Sequence, residues 1–260
     1  MPHLNQLQEK FGAEGLTIVG VTDEAKGPTE KWVKDKGAKY GYAYDKGGKF
    51  SRLAQVTGIP HVVIVDATGK VVYKGGAGGY SEDLLKQATA GALKKPLWEL
   101  PKEFAKARAA VQKGDLAAAI KESEALAKNE KVAAEAEGLK TALLAMLEGR
   151  LAGAKASGEA GDWMGAKTAY EQIAKSAKGL PAEKSAIEAL AELAKNPEAQ
   201  KGIKAQKALD ELLAMPEKKE KDREAKMSAL RAFAKKNDGS FAAKRAEEAA
   251  SGLEPKPKGG

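Results

Sequence analysis

Two prolines five positions apart, in Lys94-Lys95-Pro96-Leu97-Trp98-Glu99-Leu100-Pro101, separate two chemistries in one chain of 260 residues. Proline lacks the N–H that a helix interior needs and is tolerated only in a helix's first turn, so this pair stops one element and starts another. Nine of the 14 aromatic residues lie before position 101, with the Gly clusters and β-branched runs, whereas 40 of the 50 alanines lie beyond it. Ala, Lys, Glu and Leu dominate the second part, and all four are strong helix formers. The expectation is an α/β domain over 1–95 and an all-α region over 96–252. The segment 253–260 has nothing to bury and reads as a disordered tail.

Composition then removes several functions. With no cysteine, the sequence holds no disulfide, thiolate nucleophile or Cys-ligated metal. His3 and His61 are its two histidines, too few for a His-rich metal site or a His-dependent triad. No metal and no cofactor is expected. The net charge of +8 would suit nucleic acid, but it is spread along the chain: 14 basic against 10 acidic groups in 1–95, and 30 against 26 beyond. Nucleic-acid binders concentrate positive charge, so no such partner is expected and the excess reads as solvated lysine on helices. No apolar run approaches the roughly 18 residues of a membrane span, and no signal peptide precedes the first helix-like segment.

Periodicity orders the first part. Leu4, Leu7 and Phe11 share one helical face. The run Leu16–Thr22 is apolar and β-branched, which predicts a strand buried on both faces. A helix over Pro28–Lys36, a half-exposed edge strand over Tyr40–Asp45 and a short helix over Lys49–Val56 follow. His61–Asp66 and Lys70–Lys74, joined through Ala67-Thr68-Gly69, predict an antiparallel hairpin, and Ser81–Leu93 a closing helix. The predicted order is α-β-α-β-α-β-β-α.

Gly58-Ile59-Pro60-His61-Val62-Val63-Ile64-Val65-Asp66, followed by Thr68-Gly69-Lys70-Val71-Val72, resembles the second half of a thioredoxin-like domain of the TlpA-like and peroxiredoxin-like redoxins. Leu16–Glu24, Tyr44-Asp45 and Met1-Pro2-His3-Leu4 are similar to earlier segments of the same family, in consistent order over residues 1–93. The resemblance implies that Pro60 is a cis proline, and that Ile59, Pro60 and His61 lie where the family's backbone pairs with an extended peptide. It also implies a bacterial thiol–disulfide oxidoreductase whose Trp-Cys-x-x-Cys motif and preceding strand stand ahead of Met1. On that reading the chain is an N-terminally truncated gene product with an incomplete fold, since the strand that carries the motif lies between Leu16–Thr22 and His61–Asp66. The alternative is a degenerate domain whose sheet rearranges or borrows a strand. Location follows the same fork: the cell envelope or periplasm if an export signal lies upstream, the cytoplasm otherwise.

The family's chemistry needs two sulfurs, a thiolate that attacks and a second that resolves. Neither is present, so no catalytic residue is assigned and the chain as written is expected to be redox-inactive. The alternative for Pro60 is an ordinary trans proline opening an edge strand. His61 could tune a nearby thiolate or be a half-buried strand residue without chemistry. Gly75–Gly79 fits no phosphate-loop spacing and reads as a flexible connector. Asp23, Glu24, Asp45 and Asp66 fall at strand ends, where carboxylates could gather for acid–base or metal work but are also ordinary turn residues.

Beyond the seam, Lys113-Gly114-Asp115-Leu116, Gly161-Asp162-Trp163 and Gly239-Ser240-Phe241 each read as a helix stop, a Gly turn and a new helix. The pattern resembles tetratricopeptide-type hairpins, with spacings too irregular for a regular repeat. Stacked helical hairpins offer a surface for a protein or peptide partner. Two functions stay open: a redoxin without its cysteines, and a non-catalytic protein-binding scaffold. Oligomeric state is not legible.

Overall fold

The computed structural model describes residues 2–254. Packing divides the chain into two compact units, Met1–Gly149 and Arg150–Gly260. That boundary falls inside one long helix, a different place from the compositional seam at 95/96.

The first unit runs α1 (Pro2–Phe11), β1 (Val19–Thr22), α2 (Lys26–Lys36), β2 (Gly41–Tyr44), α3 (Lys49–Leu53), β3 (His61–Val65), β4 (Val71–Gly76) and α4 (Glu82–Thr89), the order expected from periodicity. Leu7 and Phe11 of α1 bury against Ile64 of β3 and Leu85 and Ala88 of α4, and Ile18, Val62 and Val72 pack on the same cluster. Ser81 starts α4 by accepting a hydrogen bond from the Leu84 N–H at 3.2 Å, and Glu82 and Asp83 place negative charge in its first turn.

Two amides of α1 tie down the approaches to the first strands. Gln8 donates to the Leu16 carbonyl at 2.9 Å and accepts from the Ile18 N–H at 2.8 Å, standing in for a neighbouring strand's peptide group. Asn5 does the same for Gly37 and Lys39, at 2.8 and 2.9 Å. The strand expected over Leu16–Thr22 therefore begins only at Val19, because residues 16–18 pair with a side chain.

The sheet corrects a second expectation. Strand β1 pairs in parallel with β2, strand β3 pairs antiparallel with β4, and the two pairs form separate two-stranded sheets. The strand read as buried on both faces is half-open instead: Val19 and Val21 are each 41% exposed. A run this apolar suits a strand covered on both faces, and the two valines of β1 are only partly covered.

At the seam, the two prolines introduce single 3-10 turns, Leu97–Glu99 and Lys102–Phe104. Arg108 gathers the seam's carbonyls, donating from Nη1 to Leu97 (3.3 Å), Leu100 (2.8 Å) and Pro101 (3.2 Å). Helices α5 (Ala105–Gln112), α6 (Leu116–Leu126) and α7 (Ala133–Glu159) follow. They bury Phe104, Ala107, Ile120, Leu139 and Leu143.

The second unit takes the end of α7 and continues through α8 (Trp163–Ser176), α9 (Pro181–Lys195), α10 (Pro197–Leu213), α11 (Glu220–Lys236) and α12 (Phe241–Gly252). Neighbours pair as α5 with α6, α8 with α9 and α11 with α12. All three sequence turns share one construction, a left-handed glycine followed by a capping side chain. Gly114, Gly161 and Gly239 have φ of 76°, 84° and 73°. Asp115, Asp162 and Ser240 then accept from the N–H of Ala118, Gly165 and Ala243 at 2.9, 3.0 and 3.0 Å. One core cluster here is built largely on alanine: Leu209, Leu230 and Leu253 pack among Ala234, Ala242, Ala243, Ala246 and Ala250, with Leu212, Leu213, Met227 and Phe233 partly buried against it. Two residues of the segment read as a tail are held in place, since Leu253 is buried and Glu254 pairs with Arg231. The rest of that segment, 255–260, lies outside the described residues. Among the described residues no helix is long and apolar enough to cross a membrane.

Candidate functional site

Ile59, Pro60 and His61 lead into β3 as one short stretch. The Ile59–Pro60 peptide bond is cis, the geometry that the resemblance implied. Ile59 is 91% exposed, an unusual place for a large apolar side chain. His61 stands opposite Gly76 in the hairpin ladder and is half-buried. Its Nε2 atom is buried and has no hydrogen-bond partner. Nearly all buried polar atoms in folded proteins are paired, so this nitrogen marks a place where a polar group is wanting.

The strand-end acids do not converge on that stretch; two of them serve turns. Asp45 accepts from the Phe50 N–H (2.8 Å), the Ser51 N–H (2.9 Å) and the Ser51 hydroxyl (2.9 Å), which organises the start of α3. The Phe50 N–H foremost, then that of Ser51, holds its carboxyl below the usual carboxylate range against the opposing pull of burial. Asp66 closes the β3–β4 turn, accepting from the Thr68 N–H (2.9 Å), the Thr68 hydroxyl (2.6 Å) and the Lys70 N–H (3.0 Å). Burial pushes its carboxyl up, but these hydrogen bonds and the Lys70 charge outweigh it and the net direction is down. Both acids are therefore ionised at neutral pH and already used. Among the described residues no three His, Asp or Glu side chains gather as a metal site would require.

The glycine run that ends β4 and follows it has a packing reason that spacing did not reveal. Tyr73 folds back and donates its hydroxyl to the Gly76 carbonyl at 2.6 Å. A Cβ on Gly79 would stand 2.2 Å from that oxygen, and one on Gly75 2.9 Å. Those two glycines make room for a tyrosine rather than for a phosphate.

An open groove of about 520 Å³ lies in the second unit. Its floor is polar: Gln206, 1% exposed, donates to Asp162 at 2.6 Å and accepts from the Met164 N–H at 3.0 Å. Arg245 and Asp210 line it and approach each other to 3.7 Å. Sequence reasoning missed this groove, because its residues lie far apart in the chain and carry no motif.

Residues 1–74 match the AhpC/TSA family. The chain is 32% identical over 73 residues to the thiol-disulfide oxidoreductase ResA of Bacillus thuringiensis subsp. konkukian (strain 97-27), covering 28% of this chain and 42% of that protein. It is 33% identical over 73 residues to the ResA of Bacillus anthracis, again covering 28% and 42%. These matches support a thioredoxin-superfamily redoxin in the N-terminal region. The chain spans about two-fifths of the length of the curated relatives it matches. No solved structure matches. The redoxin-like stretch contains Ile59, Pro60 and His61 and both two-stranded sheets, except for the last residues of β4.

Proposed function

We propose that the redoxin-like region presents Ile59, Pro60 and His61 to an extended polypeptide segment, as the substrate-facing half of a thiol–disulfide oxidoreductase. One observation carries this: an almost fully exposed Ile59 stands two residues from a buried His61 nitrogen that lacks a partner. An apolar side chain supplies affinity and an unsatisfied ring nitrogen supplies a polar contact, the combination a peptide backbone and side chain can meet together. Dithiol–disulfide exchange needs two cysteine sulfurs. This sequence holds none, so it takes part in that chemistry only when joined to a segment that carries them. The domain division 1–95 and 96–252, and a place in the cell envelope, belong to the same reading.

Insulin reduction separates the outcomes. The chain alone should show no turnover above a dithiothreitol blank. The same chain extended by the in-frame sequence encoded upstream of Met1 should reduce insulin if that sequence encodes Cys-x-x-Cys. A stop codon or unrelated sequence there would end the oxidoreductase reading.

The competing reading is a non-catalytic scaffold in which the tetratricopeptide-like helical hairpins hold a protein partner. The polar-floored groove between Asp162 and Arg245 favours it. It predicts a partner whose binding depends on Arg245 and is indifferent to any upstream cysteine.

A further inference from the structure

With no cysteine to take up an oxidant, tyrosine, tryptophan and methionine are the readily oxidised side chains of this sequence. Three of its aromatic rings meet where α2 lies against the β2 segment. Tyr40, just before β2, and Tyr42 within it stack at 5.4 Å between ring centroids and 21° between ring planes. The Tyr42 hydroxyl donates to the Tyr40 hydroxyl at 3.2 Å. The two rings therefore converge toward their oxygens. The carbons ortho to each hydroxyl, which lie between centroid and oxygen, sit in the narrow part of the stack.

Neighbours hold Tyr42 in that stack. Trp32 of α2 meets its ring edge-on, at 6.1 Å between centroids and 77° between planes. Gly20 stands opposite Tyr42 in the β1–β2 ladder, and a Cβ there would lie 2.7 Å from Tyr42 Cε1. Burial foremost, then the hydrogen bond to Tyr40, pushes the Tyr42 phenol above its ordinary range, so at neutral pH it is uncharged and must shed a proton when it is oxidised. The contact between Tyr73 and Tyr80 lacks this arrangement: those rings cross at 65°, and the Tyr73 hydroxyl is turned onto the Gly76 carbonyl.

From this geometry we propose that Tyr40 and Tyr42 form an oxidative modification site, which a one-electron oxidant converts to an intramolecular dityrosine. Each phenol gives one electron to the oxidant and one proton to water, so two equivalents of oxidant are reduced. The unpaired electron of each phenoxyl radical is shared with its ortho carbons, and one such carbon from each ring joins in a carbon–carbon bond. The two ortho hydrogens then move to the two oxygens and restore both phenols, leaving a product lighter by two hydrogen atoms. The stack supplies the orientation in advance, which is what makes an intramolecular step outrun a bimolecular one. Tyr44, two residues further on and 41% exposed, is the more accessible phenol, whereas Tyr40 and Tyr42 are half-buried. Accessibility would select Tyr44; the stack selects Tyr40 and Tyr42. This site is independent of residues 59–61 and of any sulfur chemistry.

The test exposes the dilute full chain to ruthenium(III) tris-bipyridyl, generated by light and persulfate as an outer-sphere one-electron oxidant. Trypsin cuts after Lys39 and Lys46, so all three tyrosines of the segment leave in one peptide, residues 40–46. The expected result is the loss of two hydrogens from that peptide, with the blue fluorescence of dityrosine and no link between Tyr73 and Tyr80. Tyr44→Phe should keep the yield within twofold. Tyr40→Phe and Tyr42→Phe each keep the ring but remove the phenol, and each should lower the yield at least tenfold. Unfolding the unmodified chain in urea should lower it at least tenfold as well. No loss of hydrogens from the peptide, an undiminished yield in Tyr40→Phe, or a yield that disappears in Tyr44→Phe would overturn the proposal. So would an equal yield in urea, by showing that closeness in sequence suffices without the stack. A covalent dimer as the main product would also overturn it, because exposed tyrosines of different molecules would then react first.

Discussion

Thr68, at the tip of the β3–β4 turn, lies directly against the bare Cα of Gly149 in α7: a methyl group built on Gly149 would stand 2.3 Å from Thr68 Cβ. The hairpin of the redoxin-like region is thus seated on a helix that begins 38 residues beyond the compositional seam. This contact shows why packing places residues 1–149 in one unit although composition divides them at 95.

Replacing glycine by alanine within a helix ordinarily stabilises by about 0.5–1 kcal/mol. Gly138, in the same helix with open space around it, should follow that rule on Gly138→Ala. Gly149→Ala should do the opposite, losing about 1–3 kcal/mol to the overlap with Thr68. Thr68→Gly added to Gly149→Ala should recover most of the difference attributable to the clash. Urea denaturation of the set measures this, and equal effects at 138 and 149 would contradict the contact.

Lys226 is 4% exposed and is not left as an isolated buried charge. Its Nζ donates to the carbonyls of Leu213 (2.6 Å) and Met215 (3.2 Å), which end α10, and pairs with Glu217. Lys226→Met keeps the volume and removes the donors from those carbonyls, so it should cost about 1–3 kcal/mol. Glu217→Gln should cost less, because its side chain is half-exposed and the carbonyls stay bonded. Thermal unfolding ranks the two variants.

Asp45 gives the redoxin-like region a pH signature. Its folded carboxyl lies below its unfolded value because of the Phe50 and Ser51 N–H groups. A depressed carboxylate contributes stability that is present above the unfolded value of about 3.9 and is lost as pH falls through the folded one. Asp45→Asn should therefore lower the thermal midpoint at pH 7, and the gap to the unmodified protein should narrow as pH falls below about 4. A gap that does not change with pH would mean that the carboxylate's charge is not what holds the start of α3.

Arg108 should matter more than its half-buried position suggests, since one guanidinium nitrogen serves three carbonyls of the proline seam. Arg108→Ala is expected to destabilise by about 1–3 kcal/mol. Arg108→Lys should recover only part of this, a lysine ammonium being more strongly hydrated and so costlier to hold half-buried against those carbonyls. Limited proteolysis around residues 94–101 should accelerate in the alanine variant, and unchanged cleavage would show that the seam is held by other contacts.

What the sequence determined by itself is local. The element order from α1 to α4 follows from apolar period and turn residues. The helix starts at Asp115, Asp162 and Ser240 follow from a left-handed glycine and a short polar side chain, and the hairpin turn at Asp66–Lys70 from an aspartate that bonds its own loop. Each is decided within a few residues, where spacing is visible. The stretch Ile59–His61 stood out only through the resemblance to thioredoxin-like redoxins, not through spacing. Partnership is what only the tertiary structure decided. The apolar run Leu16–Thr22 predicts a strand covered on both faces, yet nothing in it says that Gln8 takes residues 16–18 or that β2 is the strand it pairs with. Nor does the alanine-rich composition reveal that Gly149 receives Thr68 while Gly138 receives nothing. Strand pairing and close packing join residues far apart in the chain, and their outcome depends on which surfaces meet rather than on what each segment prefers.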